Sequence, residues 1–567
     1  MRSRFSLLVA TAGLASLAMV GSVVSDNGPV RAEVLDPANT ANIQILSIND
    51  LHGNLEPPAG SSGRIGTVNA GGAEYLATHV RALKQTNRNT LIVSAGDLIG
   101  ASPLLSSLFD DEPTIDVVSA IGLDMAGVGN HEFDRGAAEL KRIDKGGCKP
   151  NVRCQNEIWQ GSPFPFIASN VVEKKSGQTI LPAWYYRDLD GVRVGFIGLT
   201  LKETPTIVTP SGVAGLEFKD EVEVINANAE LLHQRGANAI VVVIHQGGRG
   251  ATGVPNDCKD FTGPIIDIVK KTSKNVDAYL TAHTHEGYNC VVDGKPVMQG
   301  ASFGRLVTKL DMVVQRGRDG RVVSAKATNV IVTRDVPRAA DITAIIEKYK
   351  RLSAPKANRI VGSISGTFDR VASAAGETVL GDLIADSQLA ATKDAALGGA
   401  QLALMNPGGI RTDMVFEQIS GGESTGQITY AEAFAVQPFG NNLMTITLTG
   451  AQLKTVLEQQ FDNPTPGTQR VLQISQGFSY SYSKSAPLGS KVDPASIKLE
   501  GKTIDPAAKY RVTVNNFLAD GGDNFLELAK GTERLGGVVD LDALEAYLIK
   551  LGAPAKVTAR DRIIVKD

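Results

Sequence analysis

The stretch "NTLIVSAGDLIG" (residues 89–100) is an apolar, β-branched run that stops abruptly at Gly96 and Asp97. Such a run, bounded by turn residues, reads as a strand buried within a sheet. The same pattern recurs four times: "NIQILSINDLHG" (42–53), "MAGVGNHEFD" (125–134), "AIVVVIHQGG" (239–248) and "VDAYLTAHTHEG" (276–287). Amphipathic segments lie between these runs, and their spacing predicts helices near Glu74–Lys84, Thr114–Ile121, Arg135–Ile143, Val222–Gln234 and Pro264–Lys271. Strands alternating with helices imply an α/β sandwich whose sheets are covered by helices. Asp190-Gly191 and Asp293-Gly294 each join two apolar runs as hairpin turns, so the sheets are expected to be mixed.

Each strand in this series ends in groups that bind metals. Five of the seven histidines lie in these motifs, beside Asp50, Asp97 and Asn130. Ligands in α/β folds gather beyond the carboxyl ends of strands. Strand alternation places residues i and i+2 on one side, which would turn Asp50 with His52, and His283 with His285, toward a single point. Imidazole suits zinc or iron, while carboxylate and amide oxygens also suit manganese, so the mixture fits transition metals and fits calcium poorly. The inventory is that of a two-metal phosphoesterase site. His79 and His233 fall in predicted helices and read as ordinary surface or packing residues.

A chain of 567 residues with 43% apolar and 21% charged residues is globular and long enough for about three domains. A net charge of −3 supplies no cationic field for a nucleic-acid polymer. Arg2 and Arg4 precede an apolar run from Phe5 to about Val24, the pattern of an export signal, with cleavage expected after Ala32 (1–32). An uncleaved membrane anchor is the alternative reading of that run, disfavoured by its Ser, Thr and Gly content. No stable membrane insertion is expected once the signal is removed. An exported, periplasmic or cell-envelope location agrees with four cysteines, which permit two disulfides. The short loop "CKPNVRC" favours Cys148 with Cys154, leaving Cys258 with Cys290.

The sequence divides into a first domain at 40–335, a linker helix segment at 336–358, whose helix "DITAIIEKYKRLS" is expected near Asp341 to Ser353 and is followed by "APKANR", and a second domain at 359–567 that contains no histidine. The second domain carries "NPGGIRTD" (406–413), "AVQPFGNN" (435–442) and "NNFLADGGDNF" (515–525). Glycine pairs let a ligand approach the backbone, phenylalanine offers a flat face, and aspartate suits ribose hydroxyls.

These motifs, in this order, resemble those of the 5′-nucleotidase family: "NDLHG", "GD" and "GNHEFD", then "NPGGIR", "PFG" and "FLADGGDNF". The likeness runs from about Ile43 to about Phe525. It implies a four-layer metallophosphoesterase β-sandwich flanked by helices, followed by a second α/β domain that binds nucleotide. It further implies two divalent ions (zinc, manganese or cobalt), one on Asp50, His52 and His285, the other on Asn130, His245 and His283, with Asp97 bridging. His285 departs from the Asn or Gln often found there, and Ala282 stands where glycine is common. By the same resemblance His131 and Asp134 form the catalytic pair, Asn406 and Arg411 contact base and phosphate, Phe439 and Phe517 clamp the base, Asp523 holds the ribose, and Arg370 is a further phosphate contact. The implied activity is release of phosphate from nucleoside 5′-monophosphates. The same metals would serve a 2′,3′-cyclic-nucleotide phosphodiesterase or a hydrolase of UDP-sugars or NAD, and a non-catalytic nucleotide-binding surface protein would keep the fold alone. Oligomeric state stays open.

Overall fold

Two six-stranded sheets pack face to face in the first part of the chain. The computed structural model describes residues 37–148, 158–464 and 466–567. The expected export signal and Cys154, the expected partner of Cys148, fall on residues outside these. Residues 37–39 form a single 3-10 turn, and Thr40–Asp567 is one compact unit.

The first sheet has the order Val322–Ile331, Leu306–Gln315, Thr40–Ile48, Thr90–Ser94, Met125–Gly127, Phe166–Ile167. The second has the order Gly287–Val292, Lys295–Gly300, Ala278–Thr281, Ala239–His245, Val192–Thr200, Trp184–Leu189. Central pairs are parallel; the outer pairs are antiparallel except at the edge strand Phe166–Ile167, which runs parallel to Met125–Gly127. At both expected hairpins the two turn residues have positive φ, Asp190 (48°) with Gly191 (80°) and Asp293 (50°) with Gly294 (75°), the conformation that a two-residue turn needs to match strand twist.

Alternation along each strand explains the layering. Ile43, Ile45, Leu91 and Val93 meet Val241 and Val243 between the sheets. Leu46 and Ile92 point the other way, into a helical layer that includes Leu76, Val80, Ile115 and Val118. Val242 and Ile244 face an opposite layer containing Ile225, Leu232, Ile265 and Val269. Helix, sheet, sheet and helix thus form four layers. The predicted helices appear at Ala73–Lys84, Glu112–Ile121, Ala137–Lys145, Glu221–Gln234 and Pro264–Lys271.

The helix read as ending at Ser353 continues to Ala357, with Pro355 inside it. Proline removes one backbone donor and crowds the carbonyl four residues back, a cost that is smallest near a helix end. Ile342, Ile346 and Tyr349 of this helix join the first helical layer, and Tyr349 Oη donates to Asp116 (2.7 Å). The connecting helix is therefore fastened along its length rather than free.

Beyond it, a five-stranded sheet runs Gln473–Ile474, Leu402–Met405, Lys509–Asn515, Asn442–Thr449, Thr532–Val539. Helices Val379–Thr392 and Asp540–Leu551 accompany it, which makes this second α/β region distinct in topology from the sandwich. Cys258 and Cys290 are bonded, with Cα atoms 5.1 Å apart. Among the described residues no helix is long and apolar enough to cross a membrane.

Candidate metal centre and adjoining cavity

All seven expected metal ligands lie at or just past the carboxyl ends of five strands and converge. Asp50, His52 and His285 form one cluster, and Asp97, His245 and His283 another; the ligand atoms within each lie within 4.8 Å of one another. Asp97 stands between them, its Oδ2 3.6 Å from His52 Nε2 and 3.0 Å from His245 Nε2. Asn130 Oδ1 lies 3.1 Å from His283 Nδ1. The structure thus brings together every one of these residues.

How they converge differs from the sequence expectation. Asp50 with His52, and His283 with His285, lie beyond their strands, so pleat alternation does not aim them. Instead Asp50 (φ 48°), His52 (47°), Asp97 (50°), His283 (77°) and His285 (58°) all adopt left-handed backbone. For non-glycine residues this region is uncommon, and each instance costs on the order of 1–3 kcal/mol. Tight turns of this kind bend each ligand back over its strand end. Glycine supplies the space, since a Cβ on Gly129 would lie 2.2 Å from Asp97 Oδ1 and 2.6 Å from the His245 ring.

The donor set fits cations. His52 Nδ1 is 2.9 Å from the Gly100 carbonyl and His245 Nδ1 is 3.0 Å from that of Ala95, so each of these nitrogens carries a proton and each Nε2 points inward. His52 Nε2 then faces His285 Nε2 at 3.1 Å. His245 Nε2 is buried 3.0 Å from Asp97 Oδ2, and against burial Asp97 and Asp50 raise its pKa to about 9. Ring nitrogens and carboxylate oxygens converging in a buried space call for positive charge between them. Burial holds His283 down to about 3, and burial with neighbouring His52 holds His285 well below the ordinary range, so both are neutral ligands. Burial, reinforced by Asp97, pushes Asp50 up to about 7. For Asp97 burial is outweighed by His245 and His131, which keep it ionised.

Two residues outside the expected set hold this geometry. The Glu132 carboxylate, 3% exposed, accepts backbone N–H bonds from Asp97 (2.9 Å), Leu98 (2.8 Å) and Gly129 (2.6 Å), tying two ligand loops together. Asn49 Nδ2 donates to Asp50 Oδ2 (2.6 Å), while its Oδ1 accepts from Gly300 N–H (2.9 Å). Glu132 sits inside the "GNHEFD" motif, where a carboxylate within a buried segment was the available signal; Asn49 gave none.

His131 Nδ1 lies 2.8 Å from Asp134 Oδ2, which also accepts from Ala101 N–H (3.1 Å). Burial opposes the charged imidazolium, but Asp134 and Asp97 prevail and raise its pKa.

The pair opens onto a cavity of about 260 Å³. Asn130, His131 and His283 are among its lining residues from the first domain, and Asn406, Arg411, Phe439, Arg470, Phe517 and Asp523 among those from the second. The Phe439 ring lies nearly parallel to that of His131, centroids 5.7 Å apart. Arg411 reaches across to His52 Nε2 (3.4 Å) and over Phe439 (5.7 Å), and among the described residues no carboxylate pairs with it. Arg370 is placed differently. Its guanidinium engages Asp413 Oδ1 (3.3 Å) and Ser62 Oγ (2.8 Å), while Asp413 Oδ2 accepts from Ser61 Oγ (2.7 Å). It lies at the seam between the two sheet systems, close enough for its charge to act on Arg411. His79 bonds to the Thr333 carbonyl (3.2 Å), away from the metal ligands.

Comparison with known proteins places this geometry. Residues 43–287 match the calcineurin-like phosphoesterase family and residues 360–530 match the 5′-nucleotidase C-terminal domain. Endonuclease YhcR of Bacillus subtilis (strain 168) is 32% identical over 93% of this chain, which spans 41% of that protein's length. The snake venom 5′-nucleotidase of Crotalus adamanteus is 27% identical over 91% of this chain and 87% of its own. Among solved structures, a 5′-nucleotidase precursor from Thermus thermophilus superposes with a TM-score of 0.76 at 24% identity, covering 93% of this chain and all (100%) of that one. The chain belongs to the 5′-nucleotidase family, in which a calcineurin-like phosphoesterase domain is joined to a 5′-nucleotidase C-terminal domain.

Proposed function

We propose that this chain is an exported dinuclear-metal phosphohydrolase that releases phosphate from nucleoside 5′-monophosphates. The observation that carries the reading is one cavity lined by Asn130 and His283 of the expected metal ligands, by His131, and by the rings of Phe439 and Phe517, with Asp97 and His245 clustered against His283. The name of the venom relative points to the same substrate class. On this reading the first domain spans 40–335, the helix 336–358 connects, and the second domain spans 359–567. Zinc, manganese or cobalt fits the imidazole-rich donors.

Asp50, His52 and His285 would hold one ion, Asn130, His245 and His283 the other, and Asp97 both. When bound, the pair supplies an activated water and polarised phosphoryl oxygens. The protein's own groups do the rest. Arg411, with no carboxylate to neutralise it, offers its guanidinium to the phosphate oxygens. Phe439 and Phe517 fix the base and so set the line from the attacking oxygen through phosphorus to O5′. As the P–O5′ bond breaks, His131 donates the Nε2 proton to the departing oxygen, while Nδ1–H stays on Asp134, which keeps the ring in place and favours its charged form.

The test is a panel of AMP, 3′-AMP, 2′,3′-cyclic AMP, UDP-glucose and NAD, offered to protein stripped of metal and refilled with zinc, manganese or cobalt. AMP is expected to have the highest kcat/KM, with activity lost on stripping. A higher kcat/KM for any of the other four substrates would replace the monoester reading with that substrate's chemistry.

A further inference from the structure

Arg470, a cationic group lining the same cavity, takes no part in the reaction above. Its Nη1 donates to Asp523 Oδ1. Asn406 Nδ2 donates to the other carboxylate oxygen, Oδ2 (2.8 Å), and Asn406 Oδ1 in turn accepts from Asn515 Nδ2 (2.9 Å). Asn463 Nδ2 donates to the Asp523 backbone carbonyl (2.8 Å). Asp523 itself is 7% exposed and held in left-handed backbone at φ 55°. Two side chains on separate segments, Arg470 and Asn406, therefore determine where one carboxylate points.

An ionised carboxylate offers about four lone-pair positions. Arg470 occupies one on the first oxygen and Asn406 one on the second, so each oxygen keeps an acceptor site in the cavity that Phe439 and Phe517 line. Two acceptors on adjacent oxygens complement two donors on adjacent atoms, the pattern of a vicinal diol. The charged bond to Arg470 is directional, and it fixes the torsion of the carboxylate it holds. Without it Asp523 is free to turn about its side-chain torsion, and the paired acceptors no longer face the cavity together.

We propose that Arg470 is a positioning residue that aims Asp523 at both hydroxyls of a ribose, so that the site selects ribonucleosides over 2′-deoxyribonucleosides. The proposal rests on the nucleotide reading of the cavity. A site built to bond a hydroxyl rejects the analogue lacking it, because its buried polar group is left without a partner. Arg470 also lies near enough to His283 for its charge to act there. That influence is common to both sugars and cancels in their ratio.

The experiment measures kcat and KM for AMP and 2′-deoxy-AMP with the metal-loaded protein and its Arg470→Gln, Arg470→Lys, Asp523→Asn and Arg470→Gln/Asp523→Asn variants, each checked for an intact thermal transition. The parent is expected to favour AMP by about 10-fold or more in kcat/KM, chiefly through KM. Arg470→Gln should bring the ratio to within about twofold of unity and Arg470→Lys should keep part of the preference. Adding Arg470→Gln to Asp523→Asn should leave the ratio where Asp523→Asn alone put it. A parent without preference, or an Arg470→Gln variant that keeps the parental ratio while both substrates slow equally, would overturn the proposal. A parent that hydrolyses an aryl phosphate but neither nucleotide would instead defeat the nucleotide reading. Calorimetric binding of adenosine against 2′-deoxyadenosine would then decide the diol claim on its own.

Discussion

The clustered carboxylates and histidines and the pair of phenylalanine rings meet at one cavity, yet they differ in burial and backbone. Around the metals, Asp50, His52, Asp97 and His245 are essentially inaccessible, and five of the seven ligands sit in left-handed backbone. That strain persists because Glu132 and Asn49 fix the loops from behind. Across the cavity, Arg411 and Phe517 are only half-buried, and the residues they accompany are spaced by glycine-rich turns. Chemistry on phosphorus needs ligands fixed to a fraction of an ångström, whereas recognition of a base needs flat faces and a counter-charge.

If this division holds, damage on the two sides must look different in kinetics. The largest effect is expected for His131→Ala, which should bind metal like the parent but lose about 10² to 10⁴ in kcat on a nucleotide. Metal content by emission spectroscopy and turnover on AMP check it; an unchanged kcat would remove His131 from proton transfer. Phe517→Ala should act on KM instead, raising it for AMP by about 10-fold while sparing p-nitrophenyl phosphate, since stacking of a base on an aromatic ring is worth about 1–3 kcal/mol. Equal losses on both substrates would break the contrast by making the ring part of the phosphate end.

The smallest effect concerns the stability of the second region. Asp382, 1% exposed, has neither carboxylate oxygen hydrogen-bonded, although the Arg562 Nε lies 3.8 Å away. Burial, with Glu377 and Asp386 adding to it against the pull of Arg562, pushes this carboxyl up to about 8. The folded chain then keeps a proton that the unfolded chain releases near the ordinary value of 3.8. Its contribution is complete below that value and is lost as pH rises toward about 8. Asp382→Asn should therefore gain on the parent in Tm progressively across that interval, by a few degrees at most. A parallel pH dependence in the two proteins would show that Asp382 ionises freely.

Much of this organisation was legible in order and spacing. Apolar runs ending in "GD", "GNHEFD" and "AHTH" announced strands with ligands at their carboxyl ends, because a strand buried on both faces leaves its end as the first place where polar groups tolerate solvent or metal. The helix through Asp341 was legible too, but its stop was misplaced. "APKANR" looks like a break, yet the packing of Ile342, Ile346 and Tyr349 carries the helix on through Pro355. Glu132 and Asn49 were not singled out, since their value lies in backbone N–H groups from loops far apart in sequence. Arg370 was assigned to phosphate, and only its contacts with Asp413 and Ser62 show it at the seam.

The sequence by itself determined the alternation of strands and helices, the two hairpin turns, and which side chains carry metal and ring chemistry, because periodicity and turn residues act locally. Tertiary structure alone decided that Asp97 stands between two clusters, that left-handed turns rather than pleat alternation aim the ligands, and that Arg470 meets Asp523. Those facts depend on distances between segments tens to hundreds of residues apart. Only the packing of the sheets and their loops sets such distances.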